Sequence, residues 1–152
     1  MKVVWLCHFA NAEMTALFHT PQVKEMAPWI SNLIALFKER KDIDLHIVAP
    51  NVFTNKKHYV KLRNVHYHFY QHRLSFIPKK LHSFLRFESN TNFYFVKKRI
   101  ERIIKNINPE IIHLHGAENP YYAVGILPLL KHFPTFVQYK DLSETQAFTT
   151  EL

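Results

Sequence analysis

The sequence Pro109-Glu-Ile-Ile-His-Leu-His-Gly-Ala-Glu-Asn-Pro120 joins a short apolar run to the signals that begin a helix. Ile111 to His115 predicts a buried strand, and Gly116 ends it. Asn119 is a good N-cap and proline suits the first helical position, so we expect a helix from Pro120 to about Lys131. Ligands of open parallel sheets bind beyond the carboxyl ends of strands, so this turn is the first place to look for a site.

Further apolar runs predict strands that alternate with helices. We expect strands at 3–7, 45–49, 65–70 and 135–139. Helical periodicity covers 92–106 and 22–40, and within the second stretch we expect the helix proper to start near Pro28. Such alternation is typical of an α/β domain with a doubly wound, mostly parallel sheet and helices on both faces, which is Rossmann-like. The loops after strands one, four and five then open at the same edge of the sheet: His8 to Asn11, His115 to Asn119, and Lys140 to Asp141.

Composition bounds the class of protein. The chain has 152 residues, of which 47 % are hydrophobic, enough to bury the core of one domain. Its two glycines, Gly116 and Gly125, are too few for a G-x-G-x-x-G fingerprint or a Walker A loop. The single cysteine, Cys7, is predicted to be a buried hydrophobe, which suits a reducing, cytoplasmic compartment. We find no apolar run with the character of a signal peptide or the length of a transmembrane helix.

The formal net charge of +8 is concentrated in residues 71–105, which hold nine Lys or Arg against two Glu. Such a block favours a polyanionic partner, although a solvated helix face is the simplest interpretation of residues 97–105. The basic and large apolar residues of 76–87 suit an anionic membrane surface or a lipid-linked acceptor. Single-stranded nucleic acid is the alternative, without an RNP-like, KH or helix-turn-helix signature to support it. The residues expected to make the membrane or acceptor contact are Lys79, Lys80, Phe84 and Arg86.

Two His-x-His pairs raise the question of a metal. His113 and His115 lie two apart on one predicted strand, and His66 and His68, with His72 nearby, on another. The first pair has no cysteine or carboxylate at metal-ligand spacing, and the exposed face of an edge strand explains the second, so we expect no metal. His113 is predicted to be a packed strand residue. For His115 two interpretations stay open: packing, or contact with a substrate hydroxyl by hydrogen bonding or proton transfer.

The stretch from Pro109 to Gly116 resembles the "P-D-(I/V)-(I/V)-H-x-H" strand of family 4 glycosyltransferases. These are retaining enzymes of the GT-B fold, in which two Rossmann-like halves flank a cleft. Residues 10–22 lack the Gly-Gly loop usual in that family, and Lys140 stands where the family has a histidine. Three further segments resemble family segments in the same order: Lys2 to Cys7, Leu36 to Pro50, and Pro134 to Asp141.

The resemblance implies that residues 1–140 are the acceptor-binding half of an enzyme that transfers a sugar with retention from a nucleotide-sugar to a glycan or lipid-linked acceptor. This domain would need no cofactor. Residues 141–152 would begin a further element before a C-terminal donor-binding domain, so the chain looks truncated and is expected to be inactive alone. The implied setting is cytoplasmic, peripheral at the inner face of a membrane, in polysaccharide or glycolipid synthesis. The implied site residues are His115 and Lys140 as catalytic groups, and His8, Asn11, Gly116, Glu118 and Asn119 as substrate-binding groups.

Each of these side chains also has a purely structural interpretation. Glu118 would either orient an acceptor hydroxyl or stabilise the dipole of the following helix. Lys140 would either balance phosphate charge on a departing nucleotide or be a solvated loop lysine. Asn119 is expected to be chiefly the helix cap. The alternative function for the chain is a non-catalytic basic α/β module that binds nucleic acid or an anionic surface.

Overall fold

A computed structural model describes residues 1–21, 23–74, 87–139 and 146–148. These residues form one mixed sheet in the order β3-β4-β2-β1-β5-β6-β7. The neighbours from β4 to β6 run parallel, and an antiparallel strand flanks them on each side. The strands are β1 Lys2–Leu6, β2 Asp44–Pro50, β3 His58–Leu62, β4 Val65–Tyr70, β5 Ile111–His115, β6 Thr135–Gln138 and β7 Gln146–Phe148.

Helices cover both faces of the sheet. They are α1 Ala12–Leu17, α2 Pro28–Phe37, α3 Phe87–Asn90, α4 Tyr94–Ile107 and α5 Pro120–Ala123. One apolar core joins α1 and α2 to the sheet, and a second joins α4 and α5 to the opposite face. The prediction of an α/β fold with a mostly parallel sheet between helices is therefore confirmed. Among the described residues, no helix combines the length and the apolar character that a membrane crossing requires.

The central strands follow the sequence pattern closely. Val3–Leu6 and the following Cys7 are buried on both faces, as expected for a strand inside a parallel sheet. The strands at 65–70 and 111–115 have the predicted bounds; β1 and β2 differ from theirs by one residue at both ends, and β6 ends one residue early. β1 lies between β2 and β5. The connection from β1 to β2 therefore runs to one side of β1, and the later connection to β5 runs to the other side. Such a divergence opens a crevice beyond the carboxyl ends of the two neighbouring strands.

The prediction that Val65–Tyr70 is an edge strand is wrong. β3 pairs with it in an antiparallel hairpin, through a two-residue turn at Arg63 and Asn64 in which Arg63 has a φ of 53°. β4 therefore has a neighbour on each side. Its odd-numbered side chains enter the core beneath α1 and α2, whereas His66 and His68 face the side of α4.

One helix prediction is confirmed at its start and another needs correction. α2 begins at Pro28, as predicted, because Ala27 before it is left-handed with a φ of 54°, and it ends at Phe37; Gln22 lies outside the described residues. The predicted helix from Pro120 to Lys131 is a single turn followed by a series of short turns. Pro128 has no N–H to continue a helix, and Gly125 is pressed so close to Ile100 that a Cβ would lie 2.5 Å from its Cδ1. α1 was not predicted.

Candidate functional site

A cavity of about 510 Å³ lies beyond the carboxyl ends of β1 and β5, where the sheet connections diverge. His8 follows β1, and Trp29 belongs to the first turn of α2. The other predicted residues at the cavity come from the end of β5 and the turn after it. The structure thus brings His8, His115, Gly116, Glu118 and Asn119 to one cavity.

Gly116 shapes the turn that carries the site. Its φ of +79° is one that L side chains rarely adopt, and a Cβ at this position would lie 2.7 Å from the Tyr122 hydroxyl oxygen. Its N–H donates to the Gln138 carbonyl at 2.9 Å, which ties the turn to β6. The chain can therefore turn sharply after β5 and still keep the Tyr122 ring against it.

His115 is buried at the floor of this cavity, with 1 % of its surface exposed. Its Nδ1 lies 3.0 Å from the Gln138 side-chain oxygen, an acceptor, so Nδ1 carries the proton. Its Nε2 is then an acceptor, and it has no hydrogen-bond partner among the described residues. Burial lowers the pKa of His115 to about 3, so the ring is neutral at physiological pH. It can accept a hydrogen bond from a hydroxyl, but it is a weak base for removing the proton.

The aromatic neighbours of His115 hold its ring in place. The His113 ring lies against it at a tilt of 34°, with ring centroids 3.6 Å apart, and Trp5 meets it edge-on at 4.9 Å. Phe136 packs against His113 at 4.7 Å. Burial also lowers the pKa of His113, to about 4. The packed position predicted for His113 agrees with these contacts.

Two partly exposed aromatic side chains line the same cavity and were not predicted. Trp29 is 37 % exposed and lies 5.2 Å from the His115 ring, and Tyr121 is 40 % exposed. The Tyr121 carbonyl accepts a hydrogen bond from the buried Tyr70 hydroxyl at 2.8 Å, which fixes the backbone at this wall. One signal for Trp29 was available in the sequence, since it stands outside the buried stripe of α2 formed by Ile30 and Ile34.

The two polar side chains of the turn after β5 have different positions: Asn119 caps the helix, and Glu118 lies at the cavity. The Asn119 side-chain oxygen accepts from the Tyr121 N–H at 3.0 Å, so the predicted cap is confirmed. Glu118 is exposed at the mouth of the cavity. Together with burial, its charge raises the pKa of Tyr122, since both oppose a phenolate there. The carboxylate of Glu118 is therefore the negative charge available to a ligand.

The other predicted groups differ in where they lie. His8 lines the cavity, its buried Nε2 has no hydrogen-bond partner in the part of the chain that the structure describes, and burial lowers its pKa. Asn11 does not line it, because its side-chain oxygen accepts from the Met14 N–H at 3.0 Å and caps α1. Lys140 and the proposed contact residues Lys79, Lys80, Phe84 and Arg86 lie outside the described residues.

A separate group of metal-type ligands lies at the opposite, amino end of the strands. Asp44, His46 and His66 bring three ligand atoms to within 4.8 Å of one another. The sequence-based expectation of no metal considered neither Asp44 nor His46, because they lie on a different strand from His66.

No protein-family model, curated protein or solved structure matches this chain. Its function therefore has to be inferred from the geometry and chemistry of its own residues.

Proposed function

We propose that this chain is the acceptor-binding half of a retaining glycosyltransferase, and that the cavity beyond β1 and β5 binds the acceptor sugar. The observation that carries the proposal is the cavity itself, in which two partly exposed aromatic rings stand beside hydrogen-bond acceptors. Trp29 and Tyr121 supply the rings, the exposed Glu118 carboxylate supplies two acceptor oxygens, and the neutral His115 ring forms part of the cavity lining.

This combination suits a carbohydrate. A sugar ring has apolar C–H faces that pack on aromatic rings, and hydroxyl groups that donate to nitrogen and carboxylate acceptors. The neutral His115 would hold an acceptor hydroxyl, and Glu118 would orient it. Transfer would also require the nucleotide-sugar donor, for which we expect a C-terminal domain and Lys140 to provide contacts.

The strand order supports the same class of fold. Counted among the parallel strands alone, the order β4-β2-β1-β5-β6 is 3-2-1-4-5, the order of Rossmann-like, doubly wound domains. The resemblance of residues 109–116 to a glycosyltransferase strand falls on the turn that lines the cavity. A Rossmann-like half of a GT-B enzyme, working at the inner face of a membrane, accounts for both features.

The charge distribution does not favour the nucleic-acid alternative. Lys98 and Lys105 on α4 both pair with Glu101, at 3.2 and 2.9 Å. The Arg99 guanidinium donates to the Gln71 carbonyl at 2.6 Å. Part of the basic block is thus engaged within the fold, and the cavity offers a carboxylate, which repels phosphate.

The proposal is tested by measuring sugar binding to the chain by saturation-transfer NMR, across a panel of monosaccharides and disaccharides. We expect selective binding of one class, weakened roughly fivefold or more by Trp29→Ala because a stacked ring contributes about 1 kcal/mol. Glu118→Gln should weaken it as well. Tyr94→Ala is the matched control, since Tyr94 is an aromatic on α4 that is more exposed than Trp29, at 55 % against 37 %, and does not line the cavity.

Two results would contradict the proposal. One is equal binding by the Trp29 and Tyr94 variants, which would move the sugar away from the cavity. The other is the absence of sugar binding together with tight, strongly salt-dependent binding of oligonucleotides, which would favour the basic binding module.

A further inference from the structure

A cluster of histidines lies at the amino ends of β2 and β4, on the sheet face that packs against α4. His46 and His66 are direct partners in the parallel register, and Asp44 precedes His46 by two residues, so the three side chains share a face. Ile103, Asn106 and Ile107 of α4 line the same cleft, whose volume is about 420 Å³. The cleft is separate from the cavity at the carboxyl ends of the strands.

The distances within this cluster match the geometry of a bound metal ion. The Asp44 carboxylate oxygen lies 3.3 Å from His46 Nε2 and 3.3 Å from His66 Nε2. In tetrahedral zinc sites, bonds of about 2.0–2.2 Å place neighbouring ligand atoms about 3.4 Å apart. The two distances from Asp44 therefore match the edge length of a zinc tetrahedron, and all three ligand atoms lie within 4.8 Å of one another. His46 Nε2 is also buried without a hydrogen bond among the described residues.

The other ring nitrogen of each histidine has a partner of its own. His46 Nδ1 lies 2.9 Å from His68 Nε2, and His66 Nδ1 lies 2.7 Å from the Tyr59 hydroxyl. A histidine that binds zinc through Nε2 carries its proton on Nδ1 and donates it to a neighbouring acceptor. His68 and Tyr59 are both able to accept such a proton, so the outer contacts fix the two rings in the ligating orientation.

We propose that Asp44, His46 and His66 bind one Zn²⁺ ion, with a water molecule as the fourth ligand in the open cleft. Two nitrogen ligands and one oxygen ligand form a donor set that suits this borderline cation. Asp44 is 44 % exposed at its side chain, which leaves the ion a path of entry. Lys2 and Lys57 also line this cleft, and the Lys2 ammonium is engaged there because its Nζ donates to the Ile107 carbonyl at 2.9 Å.

The site is tested with Co²⁺, which replaces Zn²⁺ and absorbs intensely in the visible range when its coordination is tetrahedral. The full chain, purified without a histidine tag and stripped of metal, is titrated with Co²⁺ and then with Zn²⁺. We expect one equivalent of tetrahedral Co²⁺ per chain, displaced by one equivalent of Zn²⁺. Asp44→Asn and His66→Gln should abolish the spectrum, whereas Tyr59→Phe should weaken binding about 10-fold or more, as the loss of an outer contact does.

His113→Gln is the matched control, since it removes a histidine from a similar His-x-His pair on β5. This variant should keep the full spectrum. The proposal is overturned if wild-type chain binds no tetrahedral Co²⁺, or if the Asp44 and His66 variants bind it as the His113 variant does. Circular dichroism tests whether each variant is folded, and Asp44→Asn, which keeps the shape of the side chain, decides the matter if His66→Gln does not fold.

Discussion

Replacing Gly116 by alanine should destabilise the protein through two separable effects. The first is backbone strain, because a φ of +79° costs an L residue about 1–2 kcal/mol, of which about 0.4–1 kcal/mol is returned by the stiffer unfolded chain. The second is a collision, because the new Cβ would lie 2.7 Å from the Tyr122 hydroxyl, and Tyr122 is only 4 % exposed. Overpacking of this kind costs about 1–3 kcal/mol, so we expect a total loss of about 2–4 kcal/mol.

A double-mutant cycle measured by urea denaturation separates the two effects. In a Tyr122→Phe background the hydroxyl is absent, and Gly116→Ala should cost only the backbone share, about 1 kcal/mol. Gly116→Asn is a control of the opposite kind, since asparagine tolerates the left-handed backbone but brings the same Cβ. If Gly116→Ala costs the same in both backgrounds, within about 0.5 kcal/mol, the collision with Tyr122 does not exist and the reasoning fails.

Gly125→Ala should cost about 1–3 kcal/mol in the same urea assay, because its Cβ would lie 2.5 Å from Ile100 Cδ1 in the core; an unchanged midpoint would contradict this packing. Cys7 is fully buried and burial raises the pKa of its thiol, so a thiol reagent should label the native protein only as fast as it unfolds, and rapid labelling without denaturant would argue against its position. Burial lowers the pKa of His115 from 6.5 to about 3, so as pH falls below 6.5 only the unfolded state gains the proton, and stability decreases. Between pH 7 and pH 5 this ring should account for a loss of about 2 kcal/mol, which His115→Gln should remove from the urea-derived pH dependence.

The turn after β5 could be predicted from the sequence because its signals are local. An apolar strand, a glycine that tolerates a positive φ and an asparagine cap follow one another between Ile111 and Asn119, and each acts on its immediate neighbours. The hairpin of β3 and β4 was not predicted, because its local signals are weak. Its turn is Arg63-Asn64 in place of the usual Asn-Gly, and His58–Leu62 alternates between half-buried and exposed positions.

Contacts between distant residues reinforce the local signals that bound the helices. Ala27 is left-handed, and the Met26 N–H beside it donates to the Ala10 carbonyl at 2.9 Å, so the chain is tied to the loop after β1 before α2 can begin. Gly125 interrupts the predicted last helix where Ile100 crosses it. The same tie brings the start of α2 to the cavity, which is why Trp29 joins His115 there although the two are far apart in sequence.

The two His-x-His pairs show why a motif alone does not define a site. On β5, His113 and His115 are surrounded by Trp5, Phe136 and the neutral Gln138, so their rings are packed and hydrogen-bonded without a carboxylate. On β4, the partners differ because the register sets His66 beside His46, with an aspartate two residues before His46 on β2.

The two pairs differ in which strand lies beside them and in which end of the strands their site occupies. Near the carboxyl end, beside the diverging connections, the β5 pair contributes the His115 ring to the lining of a cavity. Near the amino end, His66 of the β4 pair lies 3.3 Å from an Asp44 carboxylate oxygen, and Tyr59 from β3 contacts its other ring nitrogen. Had β4 been the edge strand that its alternation predicts, Tyr59 would not lie against His66, and the ring would lack the partner that orients it. The hairpin that the sequence pattern failed to reveal thus supplies the group that orients His66 toward Asp44.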